Sequence, residues 1–375
     1  MVEPIGYDKK RASQVLDKHD IDLLIATTPV NVFYTTGIPT THVAPNPILY
    51  VLYPQYPFYS LIRRDGEESL ILWMVYASVD KFSWVKDVEG IMSPKGGLQY
   101  LEDKINNWDL GGKTIGLETL MPRYQSEFLR KTFPNANFVD ADRAFLDMRL
   151  IKTEEEVKRI KKSTEIAEKA IMNMVDAIKE GISDNELLQI ARRTIIDEGA
   201  EGWDHLTMNI GPSDPEAPGI GTVVKPGDVI RLDMGAVWKG YISDVSREAC
   251  VGEVPPKAAE AMENIIKVQE FCLDNIKPGA DPKQLYEEAV KYHKSLSKRG
   301  RANIIGHSIG LEVEEIHVFG PGTPMDLKFE ENMVLDIEAW QLVRGQGLVG
   351  IEDCYRITSS GCERLSSLDK EIFIK

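Results

Sequence analysis

Short apolar runs alternate with amphipathic helical patterns along the first 150 residues. The runs have the length and composition of β-strands, and helical periodicity lies on either side of them. They are IDLLIATT (21–28), PILYVLYP (47–54) and ESLILWMVY (68–76). This alternation predicts an α/β domain over residues 1–150.

The rest of the chain, residues 151–375, repeats one pattern twice. Each copy has a long helix, a second helix and two strands joined by a short loop, and the first long helix begins at a capping box of Thr153 and Glu156. The overall fold class is therefore α+β. We expect the second domain to be a duplicated helix–helix–hairpin unit around a curved, mostly antiparallel sheet.

Both copies carry two carboxylates on their strands. Asp233 and Asp244 lie in the first hairpin, and Glu338 and Glu352 lie in the second. With the first loop centred after Trp238, Asp233 and Asp244 would lie directly opposite, with Cβ atoms about 5 Å apart, unless a bulge shifts the register. Carboxylates so close are tolerated only with a shared proton or cation, so four of them favour divalent metal.

One histidine, His307 in NIIGHSIGLEVEE (303–315), has suitable surroundings for a ligand. A lone aspartate is more often solvated and a lone histidine more often structural, so only the whole set supports a site. Two Asp, two Glu and one His would hold two metals about 3.5–4 Å apart with a bridging water of lowered pKa. Oxygen-rich ligation favours manganese, cobalt or iron(II), and zinc stays open.

The net charge and the cysteine pattern limit the classes of molecule that the protein is expected to bind. The net charge is −15 with no basic block, which disfavours nucleic acid and anionic membranes. The four cysteines form no CxxC pair, and no apolar run reaches the roughly 20 residues of a membrane span. We expect a cytoplasmic protein that acts on a small peptide or another small molecule.

Four motifs resemble those of the pita-bread metallopeptidases, which include Xaa-Pro dipeptidase (prolidase), aminopeptidase P, methionine aminopeptidase and metal-free creatinase. DMGAVWKGYISDVSR (233–247) is similar to DxG…GYxSDxTR, and GHSIGLEVEE (306–315) to GHGIGLxxHE. NMVLDIEAW (332–340) is similar to GMVxxIEP, and GIEDCYRITSSGCERLS (350–366) to RIEDxxxVTxxGxExLT. The resemblance implies that the metal ligands are Asp233, Asp244, His307, Glu338 and Glu352.

The first domain resembles the creatinase-type N-terminal domain, in LLIATTPVNVFYTTGIP (23–39) and FLDMRLIKTEEEV (145–157). This points to the Xaa-Pro dipeptidase, aminopeptidase P and creatinase branch, with Xaa-Pro dipeptidase as the nearest type. Relatives are usually dimers in which one subunit's N-terminal domain caps the other's site. The resemblance therefore implies a homodimer, with His42 as a candidate contribution in trans.

The chain departs from the family pattern at four positions. Gly219 stands where the histidine of a PH pair is expected, Glu314 where the HE motif has its histidine, Ala339 for a proline, and Gly350 for the arginine of RIED. His205 and His317 are candidates to replace the missing imidazoles. With Glu338 as the proton relay implied by the resemblance, the predicted catalytic residues are Glu338, Glu314, His317 and His205.

Three functions follow from this set. The first is a dinuclear metallopeptidase that cleaves Xaa-Pro bonds with a metal-bridging hydroxide. The second keeps the metal cage but acts on a small zwitterionic amide, amidine or sulfonium compound, as the lost histidines and the extra Glu314 suggest. The third is a non-enzymatic scaffold, which the complete ligand set disfavours.

Overall fold

The computed structural model describes residues 2–39, 55, 58–73, 78–212, 219–296, 302–320 and 322–375. The chain forms two compact units, Met1–Arg149 and Leu150–Lys375. The predicted strand at 47–54 and the candidate His42 lie outside the described residues. In the described part of the chain, no helix has the length and hydropathy needed to cross a bilayer.

The first unit is a mixed sheet with helices. Its helices are α1 (Lys9–Lys18), α2 (Pro29–Thr36), α3 (Pro94–Asn107), α4 (Arg123–Thr132) and α5 (Asp142–Arg149), with a 3₁₀ turn at Val79–Lys81. Its strands are β1 (Leu23–Ala26), β2 (Tyr59–Arg63), β3 (Glu68–Trp73), β4 (Val88–Ile91), β5 (Thr114–Leu117) and β6 (Asn137–Asp140). The sheet order is β4-β3-β2-β1-β5-β6, with β1 antiparallel to β2 and parallel to β5.

The second unit contains four long helices and a ten-stranded sheet. The helices are α6 (Glu154–Ala177), α7 (Asp184–Asp197), α8 (Pro256–Asn275) and α9 (Pro282–Leu296). The strands are β7 (Gly202–Ile210), β8 (Val229–Trp238), β9 (Tyr241–Ile242), β10 (Val245–Cys250), β11 (Ala302–Ser308), β12 (Ile316–Phe319), β13 (Val334–Val343), β14 (Gly347–Ile357), β15 (Cys362–Arg364) and β16 (Ile372–Ile374). The predicted capping box at the start of α6 is present.

The main sheet runs β12-β11-β13-β14-β10-β8-β7, and all of these pairs are antiparallel. Helices α6 and α7 form one core with β7, β8 and β10, and α8 and α9 form another with β11, β13 and β14. In β8 the side chains of Ile230, Leu232 and Met234 join the first core. Because side chains alternate along a strand, Arg231 and Asp233 lie on the opposite face of the sheet.

The first hairpin has a different register from the predicted one. Its turn is Lys239–Gly240, with φ of 50° and 83°, so Trp238 pairs with Tyr241. Asp233 consequently pairs with Ser246, not with Asp244. Positive φ at both turn residues suits a two-residue hairpin turn, and this shifts the register by two residues. Asp233 and Asp244 remain on one face as diagonal neighbours.

A buried ion pair joins the two halves of the sheet. Arg247 on β10 donates from Nη2 to Asp353 Oδ1 on β14 at 2.5 Å, and both side chains are fully buried. Arg247 Nη1 also donates to the carbonyl of Glu352 at 2.9 Å. Burial alone would raise the pKa of Asp353, but Arg247 and Arg364 lower it below its ordinary value.

We expect Asp353→Asn to destabilise the metal-free protein by about 3–5 kcal/mol, because it leaves the Arg247 guanidinium buried without a counter-charge. The measurement is the urea midpoint of unfolding followed by circular dichroism. Glu165→Gln, which removes one partner of an exposed ion pair with Lys162 on α6, is the control and should change the midpoint little. An equal effect of the two substitutions would contradict the assigned role of Asp353.

Candidate metal centre

One cross-strand row of side chains carries three of the five predicted ligands. Residues directly opposite one another in neighbouring strands point to the same face. Glu338 pairs with Glu352 across β13 and β14, and Ser246 pairs with both Glu352 and Asp233. From β11 to β7 the row reads Ile305, Glu338, Glu352, Ser246, Asp233 and Thr207.

The other two predicted ligands lie in the adjacent row on the same face, two residues along each strand. His307 is on β11, and Asp244 immediately precedes β10. His307 Nε2 lies 3.6 Å from Glu352 Oε1 and 4.0 Å from Asp244 Oδ2. The fold therefore brings all five residues to one buried patch in the middle of the sheet.

The ligand atoms cluster in overlapping groups. In each group, one ligand atom from every residue lies within 4.8 Å of the others. The groups are Asp244, His307 and Glu352; Asp233, Glu338 and Glu352; and His205, Asp233 and Asp244. Asp244, Asp233 and Glu352 each belong to two groups, as residues between two adjacent cations would.

His205, one of the predicted catalytic residues, reaches the cluster. Its Nε2 lies 3.1 Å from Asp244 Oδ1 and 3.4 Å from Asp233 Oδ1. Burial alone would lower the pKa of His205, but the nearby carboxylates, Asp244 first, raise it well above the ordinary value.

Glu314 and His317 lie at the exposed edge of this face. His317 on β12 pairs in register with His307, and its Nε2 lies 3.6 Å from Glu314 Oε2. The side chain of His317 is 45% exposed and that of Glu314 is 52% exposed. Neither residue belongs to a ligand group among the described residues. The neighbouring Glu315 is instead buried against Lys152 Nζ at 2.6 Å.

The backbone at Gly219 has a left-handed conformation that disfavours the histidine that the family pattern places there. Its φ is +88°, and a Cβ would lie 2.7 Å from both Asn185 and Leu188 on α7. The following backbone N–H groups of residues 220, 221 and 222 donate to the carboxylate of Asp184. The conformation of this loop therefore favours glycine over histidine at position 219.

Arg231 is a residue of this patch that the sequence pattern did not reveal. Its guanidinium donates to Asp233 Oδ2 at 2.8 Å and to Glu338 Oε1 at 2.5 Å, and its side chain is only 2% exposed. A Cβ at Gly350 would lie 2.4 Å from Arg231 Nη1. Arg231 thus occupies space beside the position where the family motif RIED has its arginine. A cationic residue inside the apolar strand VIRLDMG was the available signal.

A second missed residue is Asp336, which lies directly opposite His307 on β13 and is fully buried. Burial raises the pKa of its carboxyl group well above the ordinary value. Its signal was an acid two positions before Glu338 in an otherwise apolar run. The patch therefore holds five carboxyl groups, not four.

Without a cation the patch retains protons. Burial raises the pKa of Glu338 and of Glu352 to about 8. Burial would lower the pKa of His307, but the adjacent carboxylates, Glu352 first, raise it to about 10. Asp233 is the exception, because Arg231 and His205 outweigh its burial and lower its pKa.

This donor set fits divalent cations. Asp233 Oδ1 and Asp244 Oδ1 are buried, yet neither accepts a hydrogen bond of good geometry from the described part of the chain. Carboxylate oxygens with one or two imidazole nitrogens are typical ligands of manganese, iron and cobalt. A cation would neutralise carboxylates that burial otherwise leaves protonated.

The chain also matches known proteins. Residues 158–359, more than half of the sequence, match metallopeptidase family M24. The chain belongs to this family. Residues 9–151 match the creatinase/prolidase N-terminal domain. Family M24 membership confirms the predicted family, the fold class and the assignment as a metal-dependent peptidase.

Similar members of family M24 span nearly the same length. Xaa-Pro dipeptidase of Pyrococcus horikoshii is 28% identical over 373 residues, 97% of each chain. Xaa-Pro dipeptidase of Pyrococcus furiosus is 27% identical over 361 residues, 95% of this chain and 97% of its own. The crystal structure of prolidase from Pyrococcus horikoshii OT3 superimposes with a TM-score of 0.79 at 26% identity, covering 97% of this chain and 99% of the prolidase.

We predict that Arg231→Met and Gly350→Arg are non-additive. Arg231→Met removes the shared partner of two buried carboxylates, and Gly350→Arg alone forces a side chain against Arg231 Nη1, so each change destabilises the metal-free protein. The double variant supplies a guanidinium from β14 into the vacated space. Its free energy of unfolding, from urea titration, should exceed the additive expectation by about 1 kcal/mol or more. Additive losses would show that the two positions do not share one space.

Divalent metal binding by this M24 protein should release protons near pH 7. Glu338, Glu352 and His307 are protonated there in the metal-free protein, whereas ligation requires ionised carboxylates and neutral imidazole. Affinity for manganese should therefore rise with pH through about 8. Calorimetric titrations in buffers of different ionisation enthalpy measure the release, and Glu338→Gln should reduce it. A binding enthalpy independent of buffer would refute the protonated state.

Proposed function

We propose that this metallopeptidase is a dipeptidase that hydrolyses Xaa-Pro bonds with two divalent ions. The observation that carries the proposal is the meeting of Asp233, Asp244, His307, Glu338 and Glu352 on one buried sheet face. Similarity over almost the full length to Xaa-Pro dipeptidases supports the substrate class. Manganese and cobalt are the proposed metals, since the donors are mainly carboxylates.

The five residues would hold the metals, since Asp233, Asp244 and Glu352 each belong to two of the ligand groups. Bound divalent ions supply a nucleophilic water at neutral pH and Lewis acidity toward the scissile carbonyl. Glu338 is the proposed proton relay, because its carboxylate is 14% exposed and burial raises its pKa to about 8. Arg231 restrains Glu338 Oε1, which keeps one oxygen oriented while the other stays available.

His205 supplies an imidazole in place of the one that Gly219 lacks. It is 23% exposed, so it lies between the buried carboxylates and solvent, where an incoming substrate would pass. Glu314 and His317 are proposed to contact the substrate at the exposed edge, with Glu314 as a partner for a cationic group. The predicted homodimer and cytoplasmic location stay predictions.

We expect the manganese- or cobalt-loaded protein to cleave a dipeptide such as Ala-Pro, and Asp244→Ala to reduce kcat/KM by more than about 100-fold. Loss of a shared ligand should exceed the 10–100-fold cost of changing a residue behind the ligands. Proline release is measured by a ninhydrin or chromatographic assay. Asp197→Ala, which removes an exposed carboxylate on α7, is the matched control. Full activity after exhaustive chelation, or in Asp244→Ala, would disprove the metal role.

The second candidate substrate class is a small zwitterion with a cationic group. Two observations favour it, namely Gly219, with its positive φ, in place of the peptidase histidine and the acidic Glu314 in place of the second histidine. The same loaded protein is screened against Ala-Pro, Ala-Ala and betaine-like amides. Turnover of the amides without Xaa-Pro cleavage would replace the dipeptidase proposal with this one.

A further inference from the structure

Strand β7 contains an irregularity at the point where it passes the metal centre. Trp203 pairs with Ala236 and Leu206 pairs with Met234, so two residues of β7, Asp204 and His205, oppose one residue of β8, Gly235. Two residues opposite one define a β-bulge, which re-aims side chains and is frequent beside active sites. The bulge is the local feature that distinguishes residues 204 and 205 from the rest of β7.

The bulge directs His205 into the carboxylate patch. Its Nε2 lies 3.1 Å from Asp244 Oδ1 and 3.4 Å from Asp233 Oδ1. These two oxygens are buried and accept no hydrogen bond of good geometry among the described residues. Neighbouring ligand atoms in an octahedral site with bonds near 2.1 Å lie about 3 Å apart. The two distances from Nε2 therefore match the spacing between neighbouring ligands of one ion, and the three residues form one group with ligand atoms within 4.8 Å of one another.

Asp204 and Gly235 allow the His205 imidazole to point its Nε2 atom at the two aspartates. Asp204 Oδ2 lies 3.3 Å from His205 Nδ1, so it can accept the Nδ1 proton and leave Nε2 as the free donor atom. Ligating histidines usually have such a carboxylate behind them. Gly235 makes the room, because a Cβ there would lie 2.9 Å from His205 Cε1 and 2.2 Å from the carbonyl oxygen of Ser243.

We propose that His205 is a sixth metal ligand, which binds through Nε2 the ion held by Asp233 and Asp244, and that Asp204 positions it. The inference rests on the proposed dinuclear function and deepens it. His205 and His307 then stand on the outer strands of the two repeats, β7 and β11, and each ion has one imidazole. The chain thereby gains an imidazole ligand beyond the five residues that the family motifs supply.

The test is the number of imidazoles bound per chain in the cobalt-loaded full-length protein. X-ray absorption at the cobalt edge detects imidazole by its outer-shell multiple scattering, and elemental analysis gives the cobalt content per chain. We expect two imidazoles per chain in the wild type and one in His205→Ala. His317→Ala removes an imidazole outside the ligand groups and should leave two. Asp204→Asn should keep two but weaken cobalt affinity about 10–100-fold, measured by competition with a chelator.

The outcomes separate this inference from the proposed function. A wild type that binds cobalt, cleaves Ala-Pro and shows one imidazole per chain would overturn the ligand role of His205 and leave the dipeptidase proposal intact. A wild type that takes up no cobalt would overturn both. The wild-type count decides the matter even where His205→Ala folds poorly. Unchanged affinity in Asp204→Asn would remove Asp204 from the proposal.

Discussion

The structure of the second unit depends on one electrostatic constraint, which is the burial of Asp233, Asp244, Asp336, Glu338 and Glu352 on a single face of a sheet. Carboxylates in so small a space repel one another and lose their hydration, so they require protons or cations. The raised pKa values of Glu338 and Glu352 express this cost in the absence of metal. A divalent cation would offset the repulsion between the ionised carboxylates. The same close spacing that destabilises the ionised metal-free protein therefore strengthens binding of the ion.

The protein's own cations are arranged around this constraint. Arg231 neutralises Asp233 and Glu338, one from each half of the duplicated sheet. His205 faces Asp233 and Asp244 from the open side. Arg247 does not enter the patch, but it binds Asp353, the residue next to Glu352, and so fixes β10 against β14. These contacts keep the carboxylates close together when no metal is bound.

Two side chains of the family M24 motifs are missing from their usual positions in this chain, and residues of the same type lie on other strands near the metal centre. Gly350 lacks the motif's arginine, while Arg231 brings a guanidinium into the adjacent space from β8. Gly219 lacks the motif's histidine, and the loop that follows it is tied to Asp184 while Gly219 has a positive φ that suits glycine. His205 brings an imidazole from the β7 bulge. Arg231 and His205 both lie beside Asp233, so a guanidinium and an imidazole reach these carboxylates from β8 and β7.

Hydrophobic periodicity and the repeat of the two-helix, two-strand pattern were sufficient to predict the α+β fold class, because each element must bury its apolar face. The motifs were sufficient to identify the five acidic and histidine residues as one set. They were insufficient for the register of the first hairpin, because the φ values of Lys239 and Gly240 fix the turn and lie beyond any pattern of polar and apolar residues.

Only the tertiary structure showed that Arg231 and Gly350 share one space, that Asp336 lies opposite His307, and that a bulge directs His205 to the two aspartates. These relations join residues that are 28 to 119 positions apart and lie on neighbouring strands or across an intervening strand. Sequence periodicity reports which face of a strand a residue occupies, whereas cross-strand register decides which residues on that face meet.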